Sequence, residues 1–240
     1  MLTRDGLSRA IAAISLVTLS CFTTGARAAS WSEQGDAGSL PATAQITTGT
    51  GALDSISGTI NGFNDADVYK IYVTGGGTFS ASTHAADGGS ANFDTMLFLF
   101  DANGVGVYTN DDVDASWRSR LPASNPLTPV APGFYYLVIT SWENDPVSSG
   151  GQIFPNLDND FSVYGPTGPG GGSPVSGFDN QGSESGSYNI VLTGAQFAAA
   201  AGPAASVAVP TMPQWGMGIL IALLGFAAAY HLRRHRRAES

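Results

Sequence analysis

The amino-acid sequence predicts an all-β fold, an antiparallel β-sandwich of jelly-roll type. Short apolar or alternating segments recur through the middle of the chain, and within residues 68–73 Tyr69, Ile71 and Val73 share one face. Glycine, asparagine and aspartate separate these segments, as expected for turns between strands. No apolar pattern of helical period longer than two turns occurs between residues 29 and 196. These patterns favour many short strands over an alternation of strands and helices.

The most apolar segment outside the two ends of the chain is residues 95–100, Thr-Met-Leu-Phe-Leu-Phe, which predicts a central strand. Asn103-Gly104 follows it and predicts a two-residue hairpin turn. Residues 105–109 then form the returning strand. The other strong strand predictions cover residues 56–60, 68–73, 78–83, 133–140 and 188–192.

The first 28 residues have the pattern of a cleavable signal peptide. Arg4 and Arg9 accompany an apolar run, and Ala26-Arg27-Ala28 supplies the small residues of a signal-peptidase site. The one cysteine, Cys21, lies in this segment, so the mature protein has no disulfide. A lipoprotein with Cys21 as its lipidated N-terminus is the alternative, but the leucine that such a motif has three residues earlier is missing. We therefore expect cleavage after Ala28 and export.

The C-terminal end predicts one transmembrane helix over residues 215–232. Residues 216–230 carry no charge, and Trp215 and Tyr230 flank them as aromatic side chains do at membrane–water interfaces. The alternative is a buried helix of a soluble domain, but a helix that is apolar on nearly every face fits lipid better. Arginines after the helix place the C-terminus in the cytoplasm, which agrees with export of the N-terminus. This basic end consists of Arg233, Arg234, Arg236 and Arg237.

The residues before this helix resemble a known sorting signal. Val209-Pro210-Thr211-Met212, followed by Trp215-Gly216, resembles the Ile-Pro-Thr-Leu-x-x-Trp-Gly box of the IPTL-CTERM signal of bacterial exported proteins. That family has the same order of box, transmembrane helix and arginine-rich end, and the two departures here, Val209 and Met212, are conservative. The resemblance implies that residues 209–237 are recognised and cut by a membrane-embedded enzyme of the exosortase kind.

Between the two ends, composition predicts a leader, one domain and a tether. The polar leader covers residues 29–51, the sandwich covers residues 52–197, and an Ala/Gly/Pro tether covers residues 198–208. The domain carries an insertion rich in glycine, proline and asparagine at residues 143–186. Such a length indicates a loop that is either functional or disordered.

The predicted exported part is strongly acidic. Residues 29–210 contain seventeen acidic and three basic residues, which gives a net charge of −14. This charge excludes nucleic acid as a partner, because nucleic-acid binding requires clustered lysine and arginine. It suits an extracellular protein that stays soluble or holds divalent cations.

Four motifs occur in order between residues 52 and 194. They are Asp65-x-Asp67-Val-Tyr-x-Ile, Phe93-Asp94-Thr95-x-Leu-x-Leu-Phe-Asp-x-Asn-Gly, Asn110-Asp111-Asp112 and Pro132-Gly133-x-Tyr-Tyr-Leu. In their order and spacing they resemble the bacterial pre-peptidase C-terminal (PPC) domain. The resemblance implies a jelly-roll β-sandwich that accompanies secreted proteases or stands in surface proteins, of which some bind calcium or matrix polymers.

Motifs of hydrolytic enzymes are absent from the sequence, which has no G-x-S-x-G, H-E-x-x-H or C-x-x-C. His84 is the one histidine outside the C-terminal tail, and we interpret it as an exposed loop residue. His231 and His235 lie among the tail arginines and are interpreted as solvated side chains. A secreted hydrolase with a carboxylate pair remains an alternative, although carboxylates are too abundant here to single out a pair.

A carbohydrate or matrix-polymer binding module that uses an aromatic face or the long insertion is the second alternative. Aromatic side chains on one sheet face would stack against sugar rings, whereas packing in the core or at its rim accounts for the same residues equally well. The candidates for such a face are Tyr108, Trp117, Tyr135, Tyr136, Trp142 and Tyr164.

The predicted hairpin also predicts a cation site. With Asn103-Gly104 as the loop, residue 94 lies opposite residue 113, and with Ala102-Asn103 as the loop Asp94 faces Asp111. In either register Asp94, Asp111 and Asp112 come within a few ångströms of one another. Like charges so close need neutralisation, and hard oxygen ligands suit Ca²⁺. A solvated acidic loop is the alternative.

These observations predict an exported, non-enzymatic β-sandwich at the cell surface or outside the cell. Its expected partners are the export machinery, a membrane sorting protease and the membrane itself through residues 215–232. Calcium and an extracellular polysaccharide are the candidate ligands.

Overall fold

The computed structural model describes residues 29–155 and 161–200. The predicted signal peptide, sorting motif, transmembrane helix and basic end lie outside these residues. Within them, no helix has the length and apolar character needed to cross a membrane. The described chain is all-β apart from one 3₁₀ turn at Ala85–Asp87, which confirms the predicted fold class.

In chain order, the described residues form strands that we number from β1 to β18. They are β1 (Ser30–Ser32), β2 (Gln45–Ile46), β3 (Thr48–Gly49), β4 (Ser55–Ile60), β5 (Ala66–Val73), β6 (Ser80–Ser82), β7 (Ser90–Ala91), β8 (Thr95–Phe100), β9 (Gly106–Asn110), β10 (Arg120–Leu121), β11 (Gly133–Ser141), β12 (Pro146–Ser148), β13 (Gly151–Gln152), β14 (Val163–Tyr164), β15 (Val175–Phe178), β16 (Gly186–Thr193), β17 (Ala195–Phe197) and β18 (Ala199–Ala200).

Two main sheets carry the fold. Sheet A has the order β1-β4-β16-β6-β10, with β7 also paired to β16. Sheet B has the order β14-β9-β8-β11-β5-β17, with β2 also paired to β5. Most pairs are antiparallel, but β1 runs parallel to β4 and β2 runs parallel to β5. The sandwich is therefore confirmed, whereas its purely antiparallel form is wrong and the sheets are mixed.

The parallel pairs arise in the segment predicted as a polar leader. This segment adds β1 to sheet A and β2 to sheet B, so the chain crosses between the sheets before β4 and β5 begin. Residues 33–54 separate β1 from β4, and residues 47–65 separate β2 from β5. Connections of this length permit parallel pairing, because a parallel pair needs a crossover of a dozen or more residues.

The main core lies between the two sheets. Sheet A contributes Ile56, Ile60, Ile190 and Leu192, all of which are buried. Sheet B contributes alternate residues of its strands, as the period of two requires for one face. These are Tyr69, Ile71, Val73, Leu97, Leu99, Leu137 and Ile139.

A second core covers the outer face of sheet B. There Phe98 and Phe100 contact Phe154, with ring centroids 5.6 and 5.9 Å apart, and Ile153 and Phe178 pack beside them. The last three residues belong to the predicted insertion, whose strands β12, β13 and β15 form a small sheet. The insertion is therefore a folded layer over residues 143–155 and 161–186. It explains why all six residues of β8 are buried.

The hairpin between β8 and β9 differs from its prediction in the loop. Asp101 and Val105 close a three-residue loop, in which Gly104 has a φ of 79° and its N–H donates to the Asp101 carbonyl. Glycine suits this position because it adopts positive φ without a Cβ clash. An irregularity after Leu99 restores the predicted register, so Leu97 lies opposite Asn110.

A buried polar chain crosses the main core. The Tyr69 and Tyr188 hydroxyl oxygens are 2.6 Å apart, and the Tyr188 hydroxyl donates to Asp67 Oδ2. Asp67 is fully buried, and this burial raises the pKa of its carboxyl to about 8 against the opposing effect of the Tyr188 hydrogen bond. The carboxylates of Glu33, Asp65 and Asp36 add to the rise. At neutral pH this network therefore favours a protonated Asp67.

We predict that Phe154→Ala destabilises the domain by about 3–5 kcal/mol, because it leaves a cavity against Phe98 and Phe100. Urea unfolding of a fragment spanning residues 29–200 measures this loss. Phe161→Ala, an exposed phenylalanine of the same insertion, is the matched control and should change stability by less than about 0.5 kcal/mol. Equal stability of both variants would mean that the insertion does not hold a second core.

We also predict that Asp67 makes stability fall with rising pH. Its folded pKa lies above its unfolded value, so its contribution is fully present below about pH 4 and is lost as pH rises through about 8. Asp67→Asn removes this dependence because the amide stays neutral. Urea unfolding in a chelating buffer at several pH values should show the variant gaining on the wild type between these limits. Parallel stability curves for the two proteins would contradict the assignment.

Candidate metal site and aromatic cleft

Three aspartates meet at one end of the β8–β9 hairpin. Asp94 directly precedes β8, and Asp111 and Asp112 directly follow β9. One carboxylate oxygen of each residue lies within 4.8 Å of the others. The structure thus brings together the three residues that the sequence predicted as a group.

Burial and charge both act against ionisation in this group. Asp111 and Asp112 are 1 % and 2 % exposed, and Asp94 is half-buried. Burial, followed by the nearby Asp112 and Glu184 carboxylates, raises the pKa of Asp94 to about 7. Burial, followed by Asp114, raises the pKa of Asp112 to about 6. A positive charge at this place would relieve both the burial and the repulsion.

The protein offers little neutralisation of its own here. Within the described residues, neither Asp94 nor Asp112 forms a salt bridge, and the buried Oδ1 atom of each has no hydrogen-bond partner. Arg118 lowers the pKa of both groups only through space. Its guanidinium donates instead to the carbonyls of Ala91, Phe93 and Trp117.

Asn110 fixes the loop that carries the last two aspartates. Its side-chain amide donates to the carbonyls of Asp112 and Ser162, at 2.9 and 3.0 Å. Its Oδ1 accepts the N–H of Arg120 at 2.7 Å. Because these bonds join β9, β10 and the insertion, the carboxylates are held by the fold rather than by a free loop. Carboxylate oxygens in such a cluster are ligands that Ca²⁺ prefers.

A cleft of about 580 Å³ opens beside Asp94. The backbone N–H of Asp94 donates to Glu184 Oε2 at 2.6 Å, and its carbonyl accepts the N–H of Trp142 at 3.1 Å. The backbone carbonyl of Trp117 accepts the N–H of Thr95, the residue after Asp94. Asp94 is therefore the common neighbour of the carboxylate cluster and the cleft. The cleft is lined by Asn92, Phe93, Asp94, Trp117, Arg118, Trp142, Ser183 and Glu184.

The six aromatic candidates do not share one face, so they do not form the common stacking platform that a saccharide-binding aromatic face requires. Tyr108 is fully buried between the sheets, and Tyr136 and Tyr164 pack against the second core on the opposite side of sheet B. Tyr135 lies toward the other end of β11 and packs against the main core. Of the six candidates, only Trp117 and Trp142 line the cleft.

A second group of carboxylates consists of Glu33, Asp36 and Asp67, whose oxygens also lie within 4.8 Å. In this group both Glu33 oxygens accept backbone N–H groups, from Ala37 and Thr59, and Asp67 accepts from Tyr188. Hydrogen bonds therefore engage both oxygens of Glu33 and one oxygen of Asp67, whose Oδ1 has no partner among the described residues. In the group of Asp94, Asp111 and Asp112, which we call the hairpin group, two residues have such an oxygen, Asp94 and Asp112. The hairpin group is the better candidate for a cation.

His84 does not form a nucleophilic site with a described serine. Its Nδ1 accepts the N–H of Ala86, and its Nε2 lies 3.3 Å from Asp114 Oδ2. The neighbouring Ser82 hydroxyl donates to Asp87 instead. The imidazole thus caps a 3₁₀ turn. Contrary to our interpretation of an exposed residue, its side chain is 15 % exposed, because Arg120 and Asp114 pack beside it.

Sequence reasoning missed Glu184 and Arg118 as neighbours of the site. Glu184 lies ninety positions after Asp94 in the chain, at the end of the insertion, so no local pattern joins the two. Arg118 is one of only three basic residues between residues 29 and 210. That scarcity was a usable signal, because a rare cation in an acidic chain has many possible partners.

Comparison with known proteins supports the resemblance in part. No curated protein matches the chain. Residues 65–141 match the family model of the bacterial pre-peptidase C-terminal domain. The matched residues run from the residue before β5 to the end of β11 and contain all three aspartates of the hairpin group.

Proposed function

We propose that this protein is an exported, non-catalytic β-sandwich module that is stabilised by calcium at Asp94, Asp111 and Asp112. The carrying observation is the convergence of these carboxylates, with buried Oδ1 atoms on Asp94 and Asp112 that accept no hydrogen bond within the described residues. The match of residues 65–141 to an extracellular module family is compatible with a non-catalytic role.

The donor chemistry favours calcium over other common metals. The group contains oxygen ligands only, whereas zinc and copper sites in proteins usually include histidine or cysteine. Among the described residues the one histidine, His84, pairs with Asp114 rather than with the group. Magnesium demands near-ideal octahedral geometry and keeps its waters, while calcium accepts irregular sets of six to eight oxygens. An extracellular site also meets calcium at high concentration.

We predict that calcium raises the melting temperature of residues 29–200. At a free concentration a hundredfold above Kd, linkage contributes about 2.7 kcal/mol, which amounts to about 5–10 °C in a domain of this size. Asp112→Asn and Asp94→Asn should each abolish the rise. In a chelator, Asp112→Asn should melt no lower than the wild type, because it removes a charge that burial and repulsion disfavour.

Asp67→Asn is the matched control, since it replaces the carboxyl of a buried aspartate in the other group with an amide. It should keep the calcium-induced rise. Loss of the rise in Asp67→Asn with retention in Asp112→Asn would move the ion to the other group. An unchanged wild-type melting curve, together with no heat of binding in calorimetry, would leave the hairpin group as a charged loop.

We further propose that residues 209–237 deliver the module to the cell surface. The supporting observation is the order of box, apolar helix and arginine cluster in the sequence. The arginines hold the helix at the cytoplasmic side, so the Val209-Pro210-Thr211-Met212 box lies at the outer interface within reach of an intramembrane protease. The partners implied are the export machinery and that protease.

We predict that surface-released protein lacks both ends of the chain, as intact-mass spectrometry would show. Pro210→Ala should reduce release, because it alters the box, while Pro203→Ala in the predicted tether should not. A released protein that keeps residues 233–237 would mean that the tail is not cut. A full-length form that stays in the membrane fraction would make the tail a plain anchor.

The second alternative, a saccharide-binding module, is favoured by one observation, the cleft beside Asp94. No arrangement among the described residues favours a hydrolase, since His84 lacks a serine partner and the acidic residues form clusters rather than one isolated pair.

A further inference from the structure

We propose that the cleft beside Asp94 binds a saccharide ring, with two neighbouring hydroxyl groups of that ring completing the coordination of the calcium ion. This inference rests on the proposed calcium site and goes beyond it. The cleft and the carboxylate group share one residue, Asp94, which lines the first and belongs to the second.

The coordination chemistry leaves room for a ligand. Calcium takes six to eight oxygens, and the three aspartates bring one oxygen each within 4.8 Å of one another, which leaves about three to five positions to fill. Asp111 and Asp112 are almost fully buried, whereas half-buried Asp94 faces the cleft. Further oxygens therefore have to approach from the cleft side. Vicinal hydroxyls of a sugar ring present two oxygens at a spacing that one ion can accept.

The walls of the cleft suit the apolar face of a sugar ring. Phe93 lines the cleft but is only 3 % exposed and packs in the main core. The accessible aromatic surface of the cleft comes from Trp117, which is 52 % exposed, and from half-buried Trp142. Such side chains combine a large apolar face with a polar group, which matches a pyranose that has C–H groups on its faces and hydroxyls at its edge. A volume of about 580 Å³ falls in the range of small-molecule sites.

Backbone strain beside both tryptophans supports a functional role. Trp117 itself and Glu143, which follows Trp142, have φ angles of 61°. Positive φ is uncommon for residues other than glycine and is retained where surrounding structure enforces it, often at ligand sites. The Trp117 carbonyl is held by Arg118 Nη1 at 2.6 Å and by the N–H of Thr95. These two hydrogen bonds hold the backbone of Trp117 in its positive-φ conformation.

Charge selects a neutral saccharide over an ion. An anion would be repelled by the carboxylates of Asp94 and Glu184. Arg118, the cation that lines the cleft, already donates to three backbone carbonyls. An organic cation would suit the aromatic and acidic walls without calcium, but it would compete with the ion for Asp94. A neutral polyol adds its hydroxyl oxygens to the calcium ion and does not compete with the ion for Asp94. The carboxylate of Glu184 then accepts hydrogen bonds from the remaining hydroxyls, and the amide of Asn92 donates to them or accepts from them.

The test uses the full-length protein in a detergent that has no sugar headgroup, applied to an array of neutral glycans. We expect retention on at least one glycan in millimolar calcium and loss of that retention in a chelator. Trp117→Ala and Trp142→Ala should weaken binding to that glycan at least about tenfold, while calorimetry shows an unchanged calcium affinity. Phe134→Ala, an exposed aromatic at the other end of β11, is the matched control and should bind as the wild type does.

The outcomes separate this inference from the calcium proposal. Calcium binding without retention on any glycan overturns the saccharide site and leaves the calcium site standing. Retention that persists or grows in the chelator overturns calcium bridging. If neither ion nor glycan binds, both proposals fail. Calcium-dependent retention that both tryptophan variants keep overturns the placement of the glycan in this cleft.

Discussion

The structure depends on the burial of both faces of sheet B. Each side chain of β8 is buried, and those of β5 and β11 are buried on both faces over most of their length. One face packs against sheet A and the other against the insertion through Phe154 and its neighbours. Burial of a large apolar side chain contributes about 1.5–3 kcal/mol. A sheet of this composition therefore requires a third layer, which the insertion provides.

The same burial creates the electrostatic problem at the end of the hairpin. All of β8 and four of the five residues of β9 are buried, so the aspartates that flank these strands lie close to the core, with Asp112 buried and Asp94 half-buried. Their raised pKa values record that position. A protonated carboxyl and a bound cation are the two ways to relieve it, and near neutral pH the second requires less departure from the ordinary state of an aspartate.

Features that depend on nearby residues were predictable from the sequence. The run 95–100 identified a central strand, and the hairpin geometry placed Asp94 beside Asp111 and Asp112 even though the loop has three residues rather than two. Features that depend on distant pairing were not. The parallel pairing of β1 and β2, the layer made by the insertion, and the contact of Glu184 with Asp94 join segments between 24 and 90 positions apart. Composition alone described the insertion as a loop, because Gly and Pro dominate it.

The failed aromatic face shows why a residue type is a weaker guide than its position. Six aromatic residues were candidates for one stacking face, but the period of a strand sends neighbours such as Tyr135 and Tyr136 to opposite faces. The two tryptophans that line the cleft lie outside the strands, next to the start of β8 and the end of β11. The start of β8 and the end of β11 both lie next to Asp94, so the side chains that flank these two strand ends lie close together. A ligand site at this point draws on the rigidity of sheet B, since Trp117 is bonded to Thr95, the first residue of β8, and Trp142 is bonded to Asp94, the residue before it.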